Sequence, residues 1–176
     1  MRTAEKFGLP ILSLVDTPGA YPGIGAEERG QAEAIARNLI EMADLRVPIV
    51  AVITGEGGSG GALAMGVGNR VYMLEYSIYS VISPEGCAAI LWKDQDRKAE
   101  AAEALRLTAA DLQRLGVIDG VVPEPLGGAH TDPAIICQRV GDQFEKALDE
   151  LTGFDPEALI ADRYQKFRAL GVFEQR

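Results

Sequence analysis

Three features of the sequence predict an α/β fold with a mostly parallel sheet. Short, nearly continuous apolar runs recur along the chain, as strands covered on both faces require. Segments with apolar residues at helical spacing separate them. Two glycine-rich stretches directly follow apolar runs, at the strand C-termini where α/β folds usually place their ligands. Right-handed crossovers would bring those loop ends to one edge of the sheet.

The elements follow in order. Residues 9–15, with Leu9, Ile11, Leu12, Leu14 and Val15, read as a buried strand. A turn-rich stretch, Asp16–Gly25, comes next, its path set by Pro18, Gly19, Pro22, Gly23 and Gly25. A helix is predicted over 27–44: Ile35, Leu39 and Met42 recur on one face, and Glu27 and Glu28 suit the first-turn dipole. Arg29 and Glu33 are spaced to pair on it. Ile49–Ile53 is the second strand. The glycine loop Gly55–Gly61 leads into a short helix over 62–67. Two strands follow at 71–74 and 78–82, then helices at 85–92 and 96–115, the second broken near Thr108 as an N-cap. A last strand spans 117–122. Ile136, Val140, Phe144, Leu148 and Leu151 make one helical stripe, and helix resumes over 156–170.

Composition restricts the function classes. The 176 residues are enough for one domain, or one domain with an appendage, and for a core without staples. A net charge of −9 argues against nucleic acid and anionic lipid as partners. Cys87 and Cys137 with a single histidine, His130, build no zinc-ligand spacing, so no metal is expected. Reduced thiols, the lack of an apolar signal core in Met1–Gly8 and the lack of any run of about 18 apolar residues point to the cytoplasm, with no membrane span. Of 20 glycines, 11 lie between Gly19 and Gly68, which directs attention to the two loops.

The Gly55–Gly61 loop has three readings. It is a tight connection, a dinucleotide loop or an anion site. The loop follows the second visible strand and no G-K-[ST] is present, so nucleotide-phosphate readings fit poorly. A glycine loop entering a helix leaves backbone N–H groups unpaired at the positive end of the dipole, which makes an oxyanion hole. Gly60 and Gly61 sit where that helix should begin. The Asp16–Gly25 stretch is either a strand-to-helix turn or a second wall of the same pocket, and Asp16 is either a base or a turn carboxylate. Tyr79, Ser83 and Glu85 lie near a strand end. Cys87 reads as a packed small residue, Trp92 as core or interface, and Lys93, Arg97 and Lys98 as a solvated basic group. No Cys–His, Ser–His or Lys pairing suggests a covalent nucleophile.

Six runs together resemble one family. They are Asp16–Gly23 (DTPGAYPG), Gly25–Gln31 (GAEERGQ), Gly55–Ala64 (GEGGSGGALA), Tyr79–Cys87 (YSVISPEGC), Ile90–Lys93 (ILWK) and Pro123–His130 (PEPLGGAH). In this order they resemble the α subunit of bacterial acetyl-CoA carboxylase carboxyltransferase. The resemblance implies a crotonase (ClpP-like) fold of stacked ββα units. Met1 matches an internal position of that family, so an N-terminally incomplete core over residues 1–130 is expected, followed by a helical extension over 131–176.

The resemblance also implies the activity. A carboxyl group moves from carboxybiotin, held on a separate carrier protein, to acetyl-CoA, giving malonyl-CoA for fatty-acid synthesis. Gly60 and Gly61 would supply the biotin-side oxyanion hole. Gly19, Ala20, Tyr21, Gly57, Gly58, Ser59, Ser83 and Glu85 would line the substrate and biotin site. Implied partners are a β subunit in an α2β2 assembly that binds most of the CoA, the biotin carboxyl carrier protein and a biotin carboxylase, with ATP used at the level of the whole complex. The rivals are a carboxyltransferase or decarboxylase subunit for another acyl-CoA, a non-catalytic assembly fragment and, more distantly, a dinucleotide-binding protein.

Overall fold

A computed structural model gives the structure of residues 1–171. Strands β1 (Ile11–Thr17), β2 (Ile49–Gly58), β3 (Arg70–Leu74) and β5 (Gly120–Val122) lie in the order β1-β2-β3-β5, all parallel. Strand β4 (Ile78–Ser80) pairs with the far end of β2, also in parallel. β2 is the spine of the sheet. Its first half, Val50–Ile53, pairs with β3, whereas Glu56–Gly58 leave that partner for β4. Ile49 to Ile53 are at most 1% exposed, as a strand covered on both faces must be.

The helices are α1 (Arg2–Lys6), α2 (Ile24–Glu28), α3 (Gln31–Asp44), α4 (Ser59–Gly66), α5 (Pro84–Trp92), α6 (Lys98–Leu105), α7 (Ala109–Arg114), α8 (Pro133–Leu151) and α9 (Pro156–Arg168). The α8 stripe, Ile136, Phe144, Ala147 and Leu151, covers Val50, Val52, Tyr72, Leu74 and Val122 on one face of the sheet. Ala62 of α4, Ala109 and Leu112 of α7, and Ile118 cover Val15, Ala51, Ile53, Val71 and Met73 on the other. A satellite cluster of Cys87, Ala88 and Ala101, with Trp92 packed against it, joins α5 to α6. Arg97 lies over the Trp92 ring, 4.3 Å from its centroid.

Polar side chains start the helices and anchor the last one. Ser83, Asp132 and Asp155 each cap a helix whose next residue is proline, the arrangement that satisfies one orphan N–H and removes another. Thr108 caps α7 as its sequence position suggests, accepting from the Asp111 N–H. Arg163 of α9 is 1% exposed. Its guanidinium donates to the carbonyls of Met42 (2.7 Å), Leu45 (3.0 Å) and Val47 (3.1 Å) and to Asn69 Oδ1 (2.9 Å). It thus sits on the C-terminal end of α3, where a cation meets the negative end of the dipole. Burial pushes this guanidinium down to about 10.

The structure departs from the sequence expectations in several places. The single helix over 27–44 is two, because Gly30 adopts φ 76° between α2 and α3. Arg29 donates to the Gly25 carbonyl at 2.7 Å, a bond the Arg29–Glu33 spacing did not anticipate. By contrast, the break expected near Thr108 is present: α6 ends at Leu105, Arg106 adopts φ 52°, and Thr108 caps α7. Met1–Gly8 contains α1, whose Arg2 pairs with Glu5 and Glu41. Most consequentially, Gly55–Gly58 is strand and not loop. It has backbone partners in β1 and β4 that lie 20 to 40 residues away and that no local pattern reveals. Among the described residues no helix is long and apolar enough to cross a membrane.

Candidate active site

α4 begins immediately where β2 ends, with no intervening loop. Ser59 makes the corner at φ 50°, a left-handed conformation uncommon for a side-chain-bearing residue. The N-cap, Gly58, has no side chain to satisfy the first turn, and no other side chain caps it. The N–H groups of Ser59, Gly60 and Gly61 therefore point out of the helix start with the dipole behind them.

The two glycine-rich segments interlock at this point. A Cβ on Gly58 would lie 2.0 Å from the Pro18 carbonyl oxygen. One on Gly61 would lie 2.8 Å from the Gly19 carbonyl carbon and 3.0 Å from the Ala20 nitrogen. Gly19 itself adopts φ 139°, a conformation that excludes other residues without strain. Further back, a Cβ on Gly55 would lie 2.5 Å from Asp16 Oδ1, the atom that accepts the Glu56 N–H at 2.9 Å. Asp16 is therefore a strand carboxylate that ties β1 to β2 at the register shift between Val15 and Thr17. Tyr21 is 71% exposed, and its ring folds over Gly23. The Gln31 amide pairs with both backbone groups of Tyr21 when its oxygen faces the N–H (3.0 Å) and its nitrogen the carbonyl (2.8 Å).

Two cavities flank the start of α4. The smaller, about 270 Å³, is lined by Pro18, Gly57, Gly58, Ser83 and Glu85 among others, and Glu56 joins Glu85 on it. The larger, about 360 Å³, has Ser59 and Gly60 in its lining together with a mainly apolar wall that includes Leu63, Val81, Leu112 and Phe167. Ser80 lines both. The residues singled out in the sequence are thus divided. Gly57, Gly58, Ser83 and Glu85 share one cavity. Ser59 and Gly60 open on the other. Gly19 and Ala20 pack against Gly61. Tyr21 lines neither cavity.

The side chains already have structural partners. Ser83 Oγ accepts the Gly86 N–H at 3.1 Å as the α5 cap. Glu85 faces Lys98 at 3.5 Å, both exposed. Tyr79 packs on Gly57 and reaches Gly66, and burial pushes its phenol up. Cys87 is buried in the α5–α6 cluster. His130 lies in a 3₁₀ turn, Ala129–Thr131, between β5 and α8, and lines neither cavity. Among the described residues no group of three or more His, Cys, Asp or Glu could hold a metal ion. Sequence reasoning missed Phe167 and Leu170, which reach the larger cavity from the far end of the chain, and Leu63 and Gly66, whose spacing on α4 was the only local signal.

The arrangement can stabilise an oxygen that gains negative charge. It offers preorganised backbone donors, with the Ser59 hydroxyl beside them. Known proteins share this chain's sequence and fold. The acetyl co-enzyme A carboxylase carboxyltransferase-like family profile matches residues 1–171. The acetyl-coenzyme A carboxylase carboxyl transferase subunit alpha of Geobacter metallireducens is 63% identical over 175 residues, 99% of this chain and 55% of that protein. The protein of the same name from Halorhodospira halophila is 58% identical over 171 residues, 97% of this chain and 54% of that one. The chain spans about half the length of the curated relatives it matches. Among solved structures, a Pseudomonas malonate decarboxylase hetero-tetramer with coenzyme A superposes with a TM-score of 0.74 at 20% identity, over 88% of this chain and 61% of that one. Transcarboxylase 12S superposes with a TM-score of 0.69 at 23% identity, over 85% and 28%. At such identities these two structures speak for the fold alone, which is the crotonase type. With nearly every residue matched by the family profile and close to two-thirds identity to named members, the chain belongs to the acetyl co-enzyme A carboxylase carboxyltransferase-like family.

Proposed function

We propose that this chain supplies the biotin-side half of a carboxyltransferase site that makes malonyl-CoA from acetyl-CoA. The observation that carries the reading is the start of α4 at the C-terminal end of β2, where no side chain caps the first-turn N–H groups. Gly60 supports the fit: it lines the larger cavity, and a Cβ there would meet only Ile35 Cγ2 at 3.9 Å. Carboxybiotin, when bound, supplies the carboxyl group that is transferred. The N–H groups of Gly60 and Gly61 hold the oxygen on which charge develops. Backbone donors need no proton exchange and no reorganisation, and one such donor is worth about 2.7–4 kcal/mol of barrier. The β subunit completes the site and binds the CoA, in an α2β2 assembly served by the biotin carboxyl carrier protein and a biotin carboxylase. Residues 1–130 form the carboxyltransferase core. Residues 131–176 extend it with α8 and α9, and 172–176 lie outside the described residues.

The test mixes this chain with a family β subunit and follows malonyl-CoA-dependent carboxylation of biocytin. Gly60→Val should lower exchange by about 100-fold or more while the thermal midpoint stays put. Wild-type exchange in that variant would end the oxyanion assignment. Exchange with propionyl-type but not acetyl-type substrates would move the activity to another acyl-CoA.

A further inference from the structure

α4 carries the proposed donors but has little of its own to hold them still. It has eight residues. That is about 12 Å of helix, too short to be stable by itself. No side chain caps its start. Its end is irregular too. The Gly68 N–H, which a continuing helix would aim at the Ala64 carbonyl, donates to the Gly66 carbonyl instead, at 2.9 Å. The Ala64 carbonyl accepts from the side-chain amide of Asn38 in α3, at 3.3 Å.

α3 turns one face to the rest of the protein. Gln31, Ile35, Asn38 and Met42 recur at spacings of four, three and four, which places them on that face. All four are at least partly buried, whereas Glu33, Arg37 and Ile40 are exposed. Each of the four meets a different part of the molecule. The Gln31 amide, with its oxygen toward the N–H, pairs with both backbone groups of Tyr21, at 3.0 and 2.8 Å. That fixes the loop whose Gly19 and Ala20 abut Gly61. Ile35 Cγ2 lies 3.9 Å from where a Gly60 Cβ would sit. Asn38 holds the last turn of α4. Met42 is buried with Leu45, Val47 and Ile49, and Arg163 donates to its carbonyl at 2.7 Å, so the far end of α3 is anchored in the core.

We propose that α3 is the frame that sets where the Gly60 and Gly61 N–H groups point, with Asn38 and Gln31 as positioning residues for the transfer. Neither side chain lines either cavity, so both act through the backbone they hold. Asn38 fixes α4, and Gln31 fixes the loop against which Gly61 closes. Donors of this kind work at about 2.7–3.1 Å from the charged oxygen, and a displacement of about 1 Å costs about 100-fold. The inference rests on the oxyanion reading above and adds the residues that keep its donors in place.

The test compares Asn38→Leu, which keeps the bulk and loses the donor, with Asn38→Gln, which keeps the donor on a longer arm. In the mixture with a family β subunit, Asn38→Leu should lower kcat for biocytin carboxylation about tenfold and leave KM within about twofold. Asn38→Gln should recover most of that loss. Asp132→Ala is the stability control: it removes the α8 cap on the other face of the sheet, and should lower the thermal midpoint with kcat unchanged. On the ¹⁵N-labelled full chain, Asn38→Leu should move the amide signals of Gly60 and Gly61 as well as those of the last turn of α4. Gln31→Met should move those of Ala20 and Gly61. Gly60 and Gly61 signals that stay in place in Asn38→Leu, or an equal loss of kcat in Asp132→Ala, would each overturn the inference. Wild-type exchange in Gly60→Val would instead defeat the proposed function, and the amide signals, read on this chain alone, would still decide what α3 holds.

Discussion

Asp16 stands in a segment that invites a catalytic reading, yet its carboxylate is spent on the backbone. It accepts the Glu56 N–H and fills the space that Gly55 leaves open. Asp16→Ala should cost about 0.5–1.5 kcal/mol, the net worth of one solvent-accessible hydrogen bond, and Asp16→Asn should recover most of that loss. Urea denaturation of the two variants measures the difference. Tyr79 gives a pH prediction. Burial raises its phenol above the ordinary 10.0, so the folded chain holds a proton that the unfolded chain releases. The associated stability is complete below pH 10 and falls as pH rises above it. Tyr79→Phe should flatten that alkaline loss, as followed by thermal midpoints between about pH 8 and 11. At this scale the sequence shows residue types and spacing. It does not show that a Cβ on Gly61 would meet backbone while one on Gly60 would only touch the Ile35 side chain, since both are the same residue one step apart.

Elements with strong local signals were legible. The apolar run Ile49–Ile53, the α8 stripe and the Thr108 cap all fall where pattern and capping chemistry place them. Thr108→Ala should lower stability by about 1 kcal/mol through the loss of that cap. Elements sustained by distant partners were not legible. β2 continues through Gly55–Gly58 because β1 and β4 supply its hydrogen bonds, and glycine carries no strand preference of its own. α9 has weak amphipathic patterning, and buried Leu159 shares the work of holding it with Arg163 and with Asp162, which accepts from Asn69 and pairs with Arg70. Arg163→Leu should cost about 3 kcal/mol or more, because the carbonyls of Met42, Leu45 and Val47 lose their donor inside the core.

At the scale of the molecule, the sheet has one long free edge. β1 ends the strand order, and its Leu12 and Leu14 are 48% and 60% exposed, although their β2 neighbours Val50 and Val52 are fully buried. α8 covers β2, β3 and β5 but does not cover these two side chains. An apolar edge strand is prone to self-association, so Leu14→Lys should raise the concentration at which light scattering detects aggregates without lowering the thermal midpoint. The sequence by itself determined the parallel α/β class, the family and the placing of glycine loops at strand ends. Those depend on periodicity, composition and short motifs, which are local. Only the tertiary structure decided that one glycine cluster is the end of a strand, that Asp16 ties β1 to β2, and that residues near 80, 112 and 167 share one cavity with Gly60. Those depend on which atoms approach within a few ångströms across about 20 to 110 residues, and no local pattern records that distance.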